Sequence, residues 1–340
     1  MRISRQGRFA ELLDRTGALR LLELYARRPG LLVLNYHRIG SSNGNPFDDG
    51  VISATADEFR CQVRYLQSHF TLPRLEDLIE IGDERLVGRG PMALVTFDDG
   101  YRDNFELAFP VLRDIGVPAT FFIATSYIQE PRLPWWDHIA YIVKKSPRQA
   151  FTIEYPARFS IDLRQTTRSS ALNQILSLYK QAVDVREADF LRHLEEVAGV
   201  SPDSESLGRD LFMSWENIRR MCEEGMSIGS HTHSHRILSA LDTSEQRHEL
   251  SWSKHILEAE IGRPIEAVAY PVGKPFAFTG LTKRLAHEVG YRIGFSYYGG
   301  FNRPGHLDLL DLRRVTVESE HSFPQFRTRA TLQPLLSRSV

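Results

Sequence analysis

The sequence predicts an α/β fold, a parallel barrel carrying a helix-rich insertion, and three observations support it. Short apolar runs end repeatedly in polar or charged groups. Helical periodicities lie between those runs with joints of a few residues, and strand, helix, strand with short joints requires a parallel pair. The length of 340 residues suits a barrel of roughly 250 residues enlarged by an insertion.

Composition narrows the function classes. Hydrophobic residues at 42% and charged residues at 25% supply a substantial core and exclude a disordered chain. A formal net charge of −1 gives no global pull toward nucleic acid, and no such partner is expected. Cys61 and Cys222 stand alone in separate helical stretches, so buried free thiols are expected rather than a disulfide or a metal pair. No run of about 18 apolar residues occurs, and the basic start Met1 to Arg8 is not followed by a signal-type apolar core. A cytoplasmic location follows as the expectation.

Taken in order, residues 1–30 form an N-terminal helical segment. Phe9, Leu12, Leu13, Leu19, Leu22 and Leu24 recur at mostly helical spacing, interrupted by Gly17 and flanked by arginines. Packing across the barrel floor is the expected use, and peripheral contact with a membrane surface is the alternative. After Pro29-Gly30, the run Leu31 to Tyr36 is a strand delivering His37 at its C-terminal end, and 41–50 is a polar loop. Thr55 and Glu58 make a capping box for the next helix, and Leu75 to Ile81 is helical again. Met92 to Phe97 is a buried strand ending at Asp98-Asp99-Gly100, where Gly100 permits a sharp turn. A helix follows over 103–115, with Pro110 expected to distort it, and then the strand 119–124.

Residues 131–210 form a helix-rich insertion, with helices near 137–145, 168–183 and 186–198. Trp135 and Trp136 could stack on sugar rings, but pinning the insertion is the expected role. Ser214 caps a helix ended by Gly225, and a short strand then delivers His231-Thr232-His233-Ser234-His235. A helix over 244–260, the strand 267–270 ending at Pro271-Val272-Gly273, a helix over 282–289, the strand 293–297 and an extended stretch over 309–317 complete the barrel, 31–318. Residues 319–340 read as a basic tail.

The chemistry concentrates at strand C-terminal ends, where parallel barrels keep their sites. Asp-Asp-Gly by itself is also an ordinary turn composition, and a lone His-x3-His is weak evidence for a metal. Together they are more pointed: His231 and His235 can offer two nitrogens, and Asp99 a carboxylate oxygen, to one divalent cation with a position left open. Asp98 is then available as general base. A leaving amine needs a proton donor, for which an imidazole is suited near neutral pH, with His37, His306 and His321 as candidates. His233 points the other way in an extended register.

Thr96-Phe97-Asp98-Asp99-Gly100, His231-Thr232-His233-Ser234-His235 and Tyr270-Pro271-Val272-Gly273 resemble the first three motifs of the polysaccharide deacetylases, carbohydrate esterase family 4. The resemblance covers about 31–125 and 211–318. It implies a distorted (β/α)7 barrel of TIM-like type, a divalent metal, usually zinc, and hydrolysis of an N-acyl group, commonly acetyl from N-acetylglucosamine. Carried over, Asp98 is the base, and Asp99, His231 and His235 are the metal ligands. Tyr101 and the run Tyr270, Pro271, Val272 and Gly273 are the expected substrate contacts, with a backbone N–H near Val272 or Gly273 sharing oxyanion charge.

The departures from the pattern matter. The arginine that many members carry in the third motif is absent, since Ala269 and Tyr270 precede Pro271, and Arg314, or Arg313 beside it, is the substitute expected to hold Asp98. The late motif carrying the acid is also absent. Tyr36-His37 is similar to the early Tyr-His of the poly-N-acetylglucosamine deacetylase branch, which makes His37 the candidate acid. The expected partner is an acylated amino-sugar glycan or precursor. The rival readings are a non-catalytic glycan- or metal-binding barrel and an amidase acting on a small N-acyl compound.

Overall fold

The computed structural model describes residues 5–25, 28–86, 89–182, 185–305 and 307–336. The chain divides into two compact units, 1–41 with 52–128 and 213–340, and 42–51 with 129–212.

The first unit is a nearly closed barrel of seven parallel strands, β1 (Gly30–Tyr36), β2 (Pro91–Phe97), β3 (Thr120–Ile123), β4 (Ser227–Ser230), β5 (Ala267–Ala269), β6 (Ile293–Phe295) and β7 (Arg314–Thr316). Their order around the sheet is β6-β5-β4-β3-β2-β1-β7, and a parallel bridge between Phe295 and Leu312 links β6 to the run into β7. This is the distorted (β/α)7 architecture expected from the motifs.

Side-chain alternation divides the strand residues into two sets. Leu32, Leu34 and Tyr36 of β1 with Ala93, Val95 and Phe97 of β2 pack outward in one cluster with helical residues such as Phe59, Val63 and Leu112. Leu31 and Val33, Met92 and Leu94, Phe122, Ala267, Ala269, Ile293 and Phe295 belong to a second cluster inside the ring. The inward rows turn polar toward the strand C-termini, as Leu31-Val33-Asn35 and Met92-Leu94-Thr96, so the apolar interior supports a polar mouth.

The inner cluster also takes Leu75, Leu78 and Ile79, and the Arg292 side chain donates to the Ile79 carbonyl. The helix Leu75–Leu86 therefore closes the barrel floor, a correction to the expectation for the N-terminal segment. The N-terminal helices Arg5–Arg15 and Ala18–Tyr25 instead lie against the helix Phe323–Leu336. There Arg327 binds Asp14 at 2.6 Å and Glu23 at 2.9 Å. That last helix replaces the expected tail, because Phe326 and Ala330 are buried in the outer cluster.

Pro110 has its expected consequence: the stretch begins as a π-helical turn, Asn104–Ala108, before the α-helix Phe109–Ile115. The Thr55–Glu58 capping box forms as anticipated. Cys222 is buried but Cys61 is exposed, and both are free thiols, so the expectation of two buried thiols holds for one.

In the second unit, Trp135 and Trp136 are buried, with the Trp135 ring 4.6 Å from Tyr179. The sequence reading missed an antiparallel hairpin, Ala150–Ile153 with Phe159–Asp162. The loop 42–51 belongs to this unit because Lys144 binds Asp49 at 2.8 Å and the Asp48 N–H donates to Asp137 at 2.9 Å.

Candidate functional site

β2 carries Asp98 to the polar mouth in the inward register. Extended backbone would send the next side chain the other way, but Asp99 has φ 75°, which swings its carboxylate to the same side. Both acids consequently reach one imidazole: His231 Nε2 lies 3.8 Å from Asp98 Oδ2 and 3.5 Å from Asp99 Oδ1. The second histidine arrives by a similar device. Thr232 and His235 have φ 64° and 58°, and the rings of His231 and His235 come within 4.8 Å, with His235 Nε2 at 3.4 Å from Asp99 Oδ1. With Val272 at φ 61°, these are the non-glycine residues of positive φ among the described residues. Backbone strain is thus concentrated at the mouth, where the surrounding structure must hold it.

Asp99, His231 and His235 are buried and offer donor atoms all within 4.8 Å of one another. His231 Nδ1 lies 2.7 Å from the Ala269 carbonyl, which assigns the proton to Nδ1 and leaves the Nε2 lone pair facing the acids. Burial is the main cause that holds both imidazoles below their ordinary pKa, and at His235 the neighbouring His231 adds to it. Neutral imidazoles beside a carboxylate form a donor set that fits a divalent cation with open positions. The 231–235 loop is held from behind by Glu249, which accepts from the N–H groups of His233 at 3.0 Å and Ser234 at 2.8 Å. His233 turns its ring away, with Nδ1 2.9 Å from the Thr125 hydroxyl.

Asp98 is held separately. Arg314 Nη1 donates to Oδ1 at 2.7 Å and Nη2 to Oδ2 at 2.8 Å, a two-point fork. Arg314 is itself fully buried, with Nε donating to the Ser296 carbonyl at 2.9 Å and Nη1 to Asn35 Oδ1 at 2.8 Å. Asn35 Nδ2 donates in turn to Asp98 Oδ2 at 3.2 Å. Burial would raise the Asp98 carboxyl, but the charge and the hydrogen bonds of Arg314 outweigh it and hold the group well below the usual carboxylate range. Arg313 takes the other face, its guanidinium 5.5 Å over the Tyr298 ring.

His37 follows β1 with its backbone pinned on both sides: its N–H donates to Ser53 Oγ at 3.0 Å and its carbonyl accepts from Asn104 at 2.7 Å. The ring stands edge-on to Tyr297 at 5.6 Å. A positive charge on this ring would favour the Asp98 carboxylate and disfavour charge on His235. His321 is elsewhere, 2.8 Å from Arg329 and 3.4 Å from Glu318, and His306 lies outside the described residues.

The expected substrate contacts separate into two groups. Tyr270 is buried, stacked at 4.4 Å on Phe278, with its hydroxyl donating to the Leu310 carbonyl at 2.9 Å. Tyr101 is buried beneath the Arg38 guanidinium at 4.8 Å. Both rings are committed to packing, so substrate contact does not follow from their positions. The Pro271-Val272-Gly273 turn is tight: the Gly273 N–H donates to the Pro271 carbonyl at 2.6 Å, which leaves Val272 as the candidate for an oxyanion contact. Sequence reasoning missed Asn35, Glu249 and Tyr297. Asn35 had a signal, a carboxamide at an inward position of an otherwise apolar strand, where a polar group requires partners.

Residues 87–294 match the family model described as polysaccharide deacetylase. The match stops short of His37 and Arg314. YxkH of Bacillus subtilis, provisionally named a polysaccharide deacetylase, is 22% identical over 284 residues, covering 83% of this chain and 68% of that protein. The poly-beta-1,6-N-acetyl-D-glucosamine N-deacetylase of Staphylococcus epidermidis is 31% identical over 111 residues, 28% of this chain and 37% of that one. Among solved structures, the Streptococcus pyogenes deacetylase PplD in complex with acetate has a similar fold, with a TM-score of 0.58 at 16% identity, covering 89% of this chain and 98% of that chain.

Proposed function

The chain belongs to the polysaccharide deacetylase family, and from that premise we propose that it is a metal-dependent hydrolase removing an N-acyl group, most simply N-acetyl, from an amino-sugar glycan or glycan precursor. The observation that carries the reading is the division of labour at the mouth. One carboxylate is locked by a buried arginine, and its neighbour shares a cluster with two neutral imidazoles.

Asp99, His231 and His235 would hold the cation, with zinc as the reading that suits hydrolysis through two imidazoles and one carboxylate. A cation bound there supplies Lewis-acid polarisation of the acyl carbonyl and acidifies water. Asp98 accepts the proton of the attacking water at a carboxylate oxygen. Arg314 makes that acceptor a weak base, but it keeps the group ionised throughout the neutral range and fixes its orientation. His37, as imidazolium, donates a proton to the departing amine nitrogen, and its contact with Tyr297 orients the ring. The N–H of Val272 contributes a hydrogen bond to the oxygen on which negative charge develops.

N-acetylglucosamine is the favoured sugar, supported by the activity for which the Staphylococcus epidermidis relative is named. The test is acetate release from β-1,6- and β-1,4-linked N-acetylglucosamine oligomers by zinc-loaded and chelator-stripped protein, with metal content measured in parallel. Acetate formed only by loaded protein, and lost in Asp98→Asn, supports the proposal. Stoichiometric metal with no acyl release across an amino-sugar panel would identify a binding barrel, and release only from small N-acyl compounds would identify an amidase.

A further inference from the structure

The N-terminal helices have a face that the barrel does not use. Of the nine large hydrophobic residues exposed among the described residues, five lie here: Phe9 at 53%, Leu12 at 58%, Leu21 at 59%, Leu24 at 63% and Tyr25 at 85%. The inward side is closed by Ala10 and Leu19 and by Arg327, which occupies Asp14 and Glu23. That docking neutralises two of the acids of the segment. Among the described side chains, the exposed charged residues of the two helices are then Arg8, Arg15 and Arg20, with Arg15 facing Glu11 at 3.9 Å across a solvated gap. The outward surface is therefore apolar and basic at once.

A second copy of the same chain would have to meet this basic surface with itself, so like charges oppose that occupant. An anionic bilayer satisfies both components, with the leucines and Phe9 entering the acyl boundary, Tyr25 resting at the headgroup level, and the arginines meeting lipid phosphates. Helices of 11 and 8 residues fall well short of the roughly 20 needed to span, so the helices would lie in the surface. We infer that the paired helices Arg5–Arg15 and Ala18–Tyr25 are a membrane-surface anchor that docks the barrel on anionic phospholipid. The inference stands independently of the chemistry at the mouth.

The test is co-sedimentation of the full chain with sucrose-loaded vesicles of phosphatidylglycerol and phosphatidylcholine in a 1:1 ratio, against phosphatidylcholine alone, over a salt series. Binding to the anionic vesicles that weakens from 0.05 to 0.5 M salt is expected. Arg8→Glu/Arg15→Glu/Arg20→Glu should lower the partition coefficient about a hundredfold or more, from roughly fivefold for each basic side chain lost. Leu21→Ser/Leu24→Ser should abolish binding while shifting thermal unfolding little, because both side chains are more than half exposed. Equal binding to neutral and anionic vesicles, no binding to either, or a stable dimer whose formation is abolished by Leu21→Ser/Leu24→Ser would each overturn the inference.

Discussion

The Asp98–Arg314 pair permits a quantitative test of how the mouth is held. Arg314→Met would strand the Asp98 carboxylate in a site where it is almost fully enclosed. Two charge-assisted hydrogen bonds, at 2.7 and 2.8 Å, would be lost. At about 1.5–3 kcal/mol each, they total about 3–6 kcal/mol, in agreement with the cost of about 3–5 kcal/mol for breaking a buried ion pair from one side. Asp98→Asn strands the guanidinium instead and should cost a similar amount. The double variant leaves no unpaired charge, so it should be more stable than the sum of the singles implies, by about 3 kcal/mol. Urea unfolding of chelator-treated protein, which removes stabilisation by bound metal, measures all four corners of the cycle. Additivity within about 0.5 kcal/mol, or an Arg314→Met protein as stable as the parent, would refute the claim that this fork holds Asp98.

Three further outcomes are expected. His37→Gln should retain metal stoichiometry while turnover of an acetylated amino-sugar oligomer falls about 10²–10⁴-fold; unchanged turnover would remove His37 from the role of acid. Glu249→Ala should release the backbone between His231 and His235 and weaken metal affinity by about 10–100-fold, measured by competition with a chelating dye. In the second unit His138, 2.6 Å from Glu195, is held below its ordinary 6.5, with burial as the first cause. A lowered imidazole pKa contributes stability above the unfolded value that is lost as pH falls through the folded one. Melting followed between pH 7.5 and 5 should therefore show a decline starting near 6.5, and His138→Asn should make it shallower, with the buried His231 and His235 supplying the remainder.

Much of the barrel was legible because its strands carry two signals at once. Leu31 to Leu34 and Met92 to Val95 are continuous apolar runs, as strands covered on both faces must be, and each strand leads to a chemically active group. Helix starts were legible where a side chain supplies the cap, as at Thr55 and Ser214. The choice of Arg314 over Arg313 depends on the side-chain period of β7, which a run of three residues scarcely displays. The approach of Asp99 and His235 to one centre depends on positive φ values that residue type does not announce. The floor helix and the attachment of 42–51 to the second unit depend on contacts remote in sequence, Ile79 with Arg292 and Asp49 with Lys144. No local pattern encodes them. The hairpin at 150–162 was available in the alternation of Phe151 and Ile153 with Ile161, all buried.

The separation between Asp98 and Arg314, 216 positions along the chain, bears on the order in which the protein is synthesised. Asp98, His231 and His235 leave the ribosome well before Arg314. Until β7 emerges, closing the ring around Asp98 would desolvate a carboxylate without its counter-charge, so electrostatics favour an open, hydrated ring. Arrival of the last strand supplies closure and charge together. A chain terminated before Arg314 would lack both, so a nascent or prematurely stopped product would leave Asp98 hydrated and without its fork.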